Sequence, residues 1–361
     1  MTTPEAAWRP PPPQGGNTGG PAEPDPRCSL GDAPLERRRS WALAVVLRRR
    51  ALIVWPAATL GGCAWTPPQT AALHAARPPD LAPRAELSAV PFIAQTRWHC
   101  GPASLAMVLR YLGREVSAEQ LSDEVFLPAR EGTLQSEMLA GARRHDALAQ
   151  RVPGRLEAVL RELQAGHPVV VLQNLGMSFA PTWHYAVVVG YDLEHDDLVL
   201  RSGLTERETM SLRTFEHTWQ RADHWAFVAL APEQLAVTVE ERAAADAALA
   251  FERVATPSSA ARAYAALLQR WPDNLVAAIG LGQARWRLGD AAGAEAVWTA
   301  AAQRHDSAAA WNNLALARWQ RGDRDGARQA LARALQRVDG AEPAFAAAVQ
   351  ATRRTIEEAA R

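Results

Sequence analysis

The most informative segment of this chain is Val90-Pro-Phe-Ile-Ala-Gln-Thr-Arg-Trp-His-Cys-Gly-Pro-Ala-Ser-Leu-Ala-Met-Val-Leu-Arg110. Apolar residues at helical spacing follow the cysteine and Gly113 ends the pattern, so the segment predicts a helix that begins at Cys100. A thiol at a helix N-terminus lies at the positive end of the helix dipole, which favours the nucleophilic thiolate. We therefore expect a reactive cysteine with a lowered pKa. The alternative is a small core residue that happens to start a helix.

Two further residues extend this pattern toward catalysis. Gln95 lies just upstream of the cysteine, where its side-chain amide can donate to an oxyanion. His184 begins the apolar run His184-Tyr-Ala-Val-Val-Val-Gly-Tyr191, which predicts a buried strand. A glutamine, then a cysteine on a helix, then a histidine on a strand is the order of functional residues in papain-like cysteine peptidases.

With these motifs the chain resembles the bacteriocin-leader (double-glycine) peptidase family, in the bacterial lipoprotein branch that carries tetratricopeptide repeats. The resemblance extends over residues 87–230 and includes Val125-Phe-Leu-Pro-Ala-Arg-Glu-Gly-Thr-Leu-Gln135. It implies that Cys100 is the nucleophile, His184 the general base and Gln95 the oxyanion donor. It also implies a peptide or protein substrate that is cleaved after small residues such as Gly-Gly.

The sequence departs from the family pattern at one position. The family places an Asp-Pro pair at the end of the strand that follows the histidine strand. At that position this chain has Leu200-Arg-Ser-Gly203. Ser202 is then the expected orienting residue; it can accept a hydrogen bond from the ring but carries no charge to stabilise an imidazolium. Two alternatives to peptide hydrolysis stay open. One is a catalytically weak or inactive binding module, and the other is an acyltransferase that uses the same Cys-His pair.

Composition limits the other classes of function. With 361 residues the chain is long enough for two folded domains. All 39 basic residues are arginine, the formal net charge is zero, and no single-sign stripe favours nucleic-acid binding. The three cysteines and nine histidines show no spacing typical of metal ligands. We therefore expect no metal, no cofactor and no nucleic-acid partner.

The N-terminal residues predict export rather than fold. Residues 1–36 are rich in Pro and Gly and predict a disordered leader. Residues 37–62 combine arginine clusters, a short apolar run and a terminal Gly-Gly, which predicts a lipoprotein signal peptide with Cys63 as the lipidated residue. Residues 63–86 are predicted to be a tether. The expected location is the cell envelope, on the periplasmic or outer-membrane side, with a lipid anchor in the membrane.

The remaining residues predict two domains of different class. Residues 87–232 predict an α+β, papain-like cysteine peptidase domain, with helices first and an antiparallel sheet afterwards. Residues 238–361 are rich in Ala, Arg, Leu and Trp, and Arg285-Trp-Arg-Leu-Gly-Asp290 recurs 33 residues later as Arg318-Trp-Gln-Arg-Gly-Asp323. This period matches the tetratricopeptide repeat. The sequence thus predicts an all-α tetratricopeptide solenoid, which would dock a protein partner; an ordinary helical bundle is the alternative.

Overall fold

The computed structural model describes residues 66–95 and 99–358. Cys63, the expected leader and the expected signal peptide lie outside the described residues. The described residues all fall within one compact unit. Within it we distinguish the sheet region, residues 66–230, from the helical array, residues 241–358.

The sheet region contains one antiparallel sheet of seven strands. Its strands are β1 (Arg84–Glu86), β2 (Leu148–Arg151), β3 (Val169–Asn174), β4 (Trp183–Asp192), β5 (Asp197–Ser202), β6 (Thr205–Ser211) and β7 (Ala226–Leu230). They lie in the order β2-β7-β3-β4-β5-β6, and β1 pairs with β4 outside this path. An antiparallel sheet combined with helices is the α+β class that the sequence predicts.

Helices cover both faces of this sheet. They are α1 (Pro68–Ala75), α2 (Cys100–Tyr111), α3 (Ala118–Val125), α4 (Gln135–Arg144), α5 (Leu156–Gln164) and α6 (Leu212–Gln220). Leu105 of α2 and Tyr185 of β4 share one core, whereas Phe215 of α6 and Ala186 of β4 share the other. Because side chains alternate along a strand, His184 lies on the same face as Ala186.

Local sequence signals account for the ends of two helices. Helix α2 begins at Cys100, and Gly113 follows its end with a φ of +74°, a conformation that favours glycine. Helix α3 begins with a complete capping box, in which the Ser117 hydroxyl accepts from the Gln120 backbone and the Gln120 side chain accepts from the Ser117 backbone. The sequence predicts that α2 begins at Cys100 and that Gly113 ends it, and the structure confirms both ends.

The segment before the sheet differs from the prediction. Residues 66–86 are packed onto the rest of the sheet region and are not an extended tether. The buried carboxylate of Glu216 accepts hydrogen bonds from the backbone of Gln69 and from the backbone and hydroxyl of Thr70, at 2.6–2.8 Å. Strand β1 then pairs with the end of β4, where its backbone comes so close that Gly190 leaves no room for a Cβ. Buried hydrogen bonds and strand pairing therefore hold a segment whose prolines had indicated a linker.

The helical array is built only from helices in the residues that the structure describes. They are α7 (Glu241–Glu252), α8 (Pro257–Arg270), α9 (Leu275–Arg287), α10 (Ala291–His305), α11 (Ala308–Gln320), α12 (Arg324–Asp339) and α13 (Ala346–Glu358). None of the helices in the described ranges has the length and apolar character needed to cross a membrane.

Structural details in the array recur with the sequence period. The carboxylate of Asp290 caps α10 by accepting from the Gly293 backbone at 2.9 Å, and Asp323 caps α12 through Gly326 at the same distance. The glycines before the two aspartates have φ values of +82° and +87°. The same turn is thus built twice by the same residue types, which is consistent with an all-α repeat.

The array shares its core with the sheet region. Tyr264 of α8 belongs to the same apolar cluster as Phe215 of α6. Between the two parts, the buried carboxylate of Glu162 accepts from the backbone N–H groups of Val237 and Thr238 and from the Thr238 hydroxyl. The connecting segment is therefore fixed to α5.

Candidate active site

The candidate residues gather at one end of the sheet. Because neighbouring strands are antiparallel, the start of β4 at His184 and the end of β5 at Ser202 lie at the same end of the sheet. Gly203 continues from β5 and bonds to the segment that carries Gln95, with the Gln95 backbone N–H donating to its carbonyl at 2.9 Å. The start of α2 brings Cys100 to this end of the sheet.

Cys100 is the first residue of α2 and is partly buried. A Cβ added to the next residue, Gly101, would lie 2.8 Å from the Thr133 side chain, so only glycine lets the segment around Thr133 rest on the helix start. The Tyr185 hydroxyl donates to the Thr133 carbonyl at 3.1 Å and holds that segment in place. The surroundings of the thiol are therefore built from α2, β4 and the segment before α4.

The electrostatic state of the thiol differs from the prediction. Burial raises the pKa of Cys100, and this effect outweighs the backbone N–H groups of Tyr185, Gly101 and Cys100 itself, which favour the thiolate. The prediction of a lowered pKa from the helix position was wrong because removal of water from the sulfur costs more than the nearby N–H groups return. The resting form is the neutral thiol.

His184 is placed beside Ser202, at the position that the sequence predicts. The Nε2 atom of His184 lies 3.0 Å from the Ser202 hydroxyl oxygen. Burial lowers the pKa of His184, and the negative charge of Glu208 on β6 opposes that effect. The ring is thus neutral at neutral pH, and its Nε2 contact to the Ser202 hydroxyl can form with either ring nitrogen carrying the proton.

In the described part of the chain the thiol and the imidazole are not hydrogen-bonded to each other. The sulfur faces the backbone N–H of Tyr185, the residue that follows His184, while the ring bonds to Ser202. Catalytic hydrogen bonds are often long in ligand-free enzymes and tighten when substrate binds. The site thus contains a neutral thiol at the start of α2 and a neutral imidazole near the start of β4.

Gln95 is buried and its amide is held in one orientation. The backbone N–H of Gly203 can only donate, and it donates to the Gln95 Oε1 at 3.2 Å. The Gln95 Nε2 donates one hydrogen to the Ser104 hydroxyl at 3.2 Å, on the first turns of α2. The second hydrogen of Nε2 is left to donate to an oxyanion.

A cleft of about 580 Å³ opens at Cys100. Its wall includes Cys100, Thr133, Leu134, Leu172, Trp183 and Tyr185. Trp183 is exposed by 54% and forms an apolar part of the rim. His184, Ser202 and Gln95 are not part of this wall, so the cleft reaches the nucleophile from the side of α4 and the loop before β4.

The comparisons with known proteins concern the sheet region. The sheet region is similar to the Peptidase_C39 like family. The model of that family matches residues 87–226, which is less than half of the chain. The antiparallel sheet with its helices fits a papain-like domain of this kind, and the match supports a peptidase-like function.

Solved structures and curated proteins add the following findings. One similar structure is described as a C39-like peptidase from Bacillus anthracis; it is 22% identical, covers 41% of this chain and 97% of its own, and has a TM-score of 0.34. Another is a double glycine motif protease from an AMS/PCAT transporter in complex with the leader peptide; it is 20% identical, covers 39% of this chain and 90% of its own, and has a TM-score of 0.30. No curated protein sequence matches this chain.

Sequence reasoning missed some residues of the site. Tyr185 was seen only as part of an apolar strand, yet its backbone faces the thiol and its hydroxyl holds Thr133. Gln173 lies opposite His184 in the sheet, and the sequence alone gives no strand register from which to find it. Among the described residues, no three acidic, histidine or cysteine side chains are grouped so as to hold a metal ion.

Proposed function

We propose that the sheet region is an exported cysteine peptidase domain that hydrolyses a peptide bond after small residues of the Gly-Gly type. The observation that carries the proposal is the position of Cys100. Its sulfur lies at the start of a helix, opens on a cleft and faces the backbone N–H next to His184. A thiol, a neutral imidazole and a fixed amide donor at one edge of a sheet are the groups that acyl transfer requires.

The proposed mechanism begins from neutral groups. His184 accepts the proton of the Cys100 thiol as the sulfur attacks the substrate carbonyl carbon. The carbonyl oxygen becomes an oxyanion, which accepts hydrogen bonds from the free Nε2–H of Gln95 and the backbone N–H of Cys100. His184 then donates its proton to the leaving amine, and the C–N bond breaks to give a thioester. Water, activated by His184, hydrolyses the thioester and releases the acid.

Turnover of peptides by variants of the full chain tests this proposal. A set of quenched fluorescent peptides should include a Gly-Gly pair before the scissile bond and a matched set with larger residues there. We expect the wild-type chain to cleave the first set, and Cys100→Ala and His184→Ala to lose turnover. His195→Ala is the matched control, since His195 is exposed and pairs only with Asp192 in the described residues. Wild-type turnover in Cys100→Ala would contradict the proposal.

A second candidate function is a binding module without strong catalysis. It is favoured by the raised pKa of Cys100 and by the uncharged Ser202 at the orienting position. In this case the wild-type chain would bind the peptides in the cleft but cleave none of them. Affinity measured for wild type and for Leu134→Arg, which places a charge in the cleft wall, separates binding there from binding elsewhere.

We further propose that the chain is a lipoprotein of the cell envelope, anchored through Cys63. The sequence before Cys63 supports this proposal, and α1 begins only a few residues after it, at Pro68. An anchored chain would hold the sheet region close to the bilayer. Intact mass of the processed protein and its partition into membranes test the proposal, with Cys63→Ser as the comparison. A mature N-terminus elsewhere, or a Cys63 without added lipid mass, would contradict it.

For the helical array we propose tetratricopeptide repeats that dock a protein partner. The recurring caps at Asp290 and Asp323 support this proposal. Hydrogen exchange of the Cys100→Ala chain, with and without a long protein substrate, is the test. Protection of α9 and α11 supports docking on the array, whereas protection confined to the cleft contradicts it.

A further inference from the structure

The residue directly opposite His184 in the sheet is Gln173. The two residues form a pair in the register between β3 and β4. Directly opposite residues of antiparallel strands carry their side chains on the same face, with Cβ atoms about 5 Å apart. Gln173 is 1% exposed. The mechanism described above gives this buried amide no role.

The neighbouring helix fixes the direction of the Gln173 amide. The hydroxyl of Thr218 on α6 donates to the backbone carbonyl of Phe215 at 2.9 Å, so its oxygen is left to accept. Gln173 Nε2 donates to that oxygen at 2.7 Å and also lies 3.6 Å from the sulfur of Met210. The Oε1 of Gln173 is buried and has no hydrogen-bond partner among the residues that the structure describes. A buried carbonyl oxygen is thus left over on the face that carries His184.

We propose that Gln173 is a positioning residue that acts through His184. Its Oε1 is the negative end of a fixed amide dipole, which stabilises the imidazolium that forms when the ring takes the thiol proton. Ser202 holds the ring at Nε2 but brings no charge, and the carboxylate that would usually follow the histidine strand is missing. A dipole is weaker than a carboxylate, but in a buried site its effect is not screened by water. This inference rests on the proposed peptidase function.

The charged groups around His184 leave room for such an effect. Glu208 on β6 is the carboxylate that raises the pKa of the ring against the effect of burial, and the Cys100 sulfur on α2 faces the backbone N–H of the next residue, Tyr185. From α6 the contact to this face is the uncharged Thr218, and from β5 it is Ser202. Strand β3 carries no charged residue, so a charge introduced at position 173 would act on His184 without forming an ion pair within its own strand.

Titration of His184 tests the inference without requiring turnover. Histidine-labelled full-length chains carrying Cys100→Ala are followed by NMR from acid to alkaline pH, and the signal is assigned with His184→Asn. The compared variants are Gln173→Glu and Gln173→Met. The matched control is Gln150→Met, because Gln150 is a fully buried glutamine of the same sheet with both ends of its amide bonded far from the site, to Gln234 and Ala236.

We expect Gln173→Glu to raise the pKa of His184 and Gln173→Met to lower it, with Gln150→Met unchanged. In chains that retain Cys100, the acid limb of kcat/KM should move in the same directions, by about one pH unit for the glutamate. For Gln173→Met we expect kcat to fall about 10-fold with KM unchanged. An unchanged His184 titration in Gln173→Met, or an equal change in Gln150→Met, overturns the inference. If His184 responds as expected but no chain cleaves peptides, the proposed function fails and the placement of Gln173 stands.

Discussion

In the sheet region several buried polar side chains bind partners that lie far away in the chain, although the Oε1 of Gln173 has no partner in the described residues. Glu216 binds the segment around Thr70, Glu162 binds the segment around Thr238, and Gln95 binds Gly203. In the helical array, by contrast, Asn312 and Asn313 on α11 are fully buried, and both amide atoms of each have no hydrogen-bond partner in the described residues.

The difference indicates that buried hydrogen bonds position the segments around the candidate site, whereas packing determines the geometry of the helical array. Each buried hydrogen bond in the sheet region fixes a segment that approaches the active-site edge or flanks the sheet. In the array, close contacts of small residues set the geometry instead; a Cβ on Gly282, for example, would overlap the indole of Trp298. Changes to the buried amides near the candidate site should therefore affect turnover, whereas changes to buried amides in the array should affect only stability.

The largest effect is expected at Gln95. Gln95→Met removes the oxyanion donor while keeping a side chain of similar length, and loss of one such donor typically lowers kcat by about 10²–10³. Peptide turnover and thermal unfolding of the same protein provide the measurement. Gln150→Met is the control and should lose stability but keep kcat. If both variants lose kcat equally, Gln95 has no special role in the oxyanion site.

A smaller effect is expected at Ser202. Ser202→Asp places a carboxylate 18 positions after His184, at the contact now made by the hydroxyl, and should raise both the pKa of the ring and kcat. Ser202→Ala should lower kcat. We expect about a 10-fold change in each direction. Steady-state kinetics of the two variants are the measurement, and a kcat that is insensitive to both substitutions would exclude an orienting role.

The pH dependence of turnover is the next test of the sheet region. The pKa of His184 is lowered from 6.5, so the ring stays able to accept a proton below that pH. The pKa of Cys100 is raised from 9.0, so the thiol keeps its proton above that pH. We expect a kcat/KM plateau with its acid limb below 6.5 and its alkaline limb above 9.0. Alkylation of Cys100 should likewise increase most above pH 9.0. An alkaline limb below 9.0, set by loss of an imidazolium proton, would instead indicate a preformed thiolate–imidazolium pair.

The smallest effect is expected in the array. Asn312→Leu replaces a buried amide that has no partner by an apolar side chain of similar volume, and this should stabilise the fold by about 1 kcal/mol without changing kcat. Asn274 offers the contrast, because its side chain caps α9 and binds Glu241. Asn274→Leu should destabilise by about 1 kcal/mol. Denaturant unfolding measures both variants. Destabilisation by Asn312→Leu would show that this amide does have a bonding partner.

Local patterns predicted the central elements of the fold, and pairings outside the local sequence decided the others. The cysteine helix and the histidine strand have clear apolar periods, and the structure has both. Strand β2 was missed because Leu148-Ala-Gln-Arg151 shows no alternation and is a strand only through its pairing with β7. Helix α1 was missed because Pro67-Pro68 indicated a linker, although proline is well tolerated at the start of a helix.

The candidate site shows the same division. The contact between His184 and Ser202 was predicted from the family resemblance, which places the orienting residue at the end of the strand that follows the histidine strand. The direction of the Cys100 pKa was not, because the helix dipole is visible in the sequence while the burial of the sulfur is not. Gln173 was missed for a related reason, since its position opposite His184 depends on the register of β3 and β4.

The hydrogen bonds of two buried glutamates, Glu162 and Glu216, limit how far the chain can be truncated. A chain truncated after residue 232, where the predicted peptidase domain ends, would keep Glu162. It would lose the backbone N–H groups of Val237 and Thr238 and the Thr238 hydroxyl, which all donate to that carboxylate. A chain begun at residue 87 would do the same to Glu216 by omitting Gln69 and Thr70. Loss of these donors from a buried carboxylate costs up to about 3–5 kcal/mol, a large part of the stability of an ordinary domain, although Glu162 would keep its contact to His167. The smallest fragment suitable for expression therefore extends beyond the peptidase-like segment at both ends, into residues that lie outside the family match.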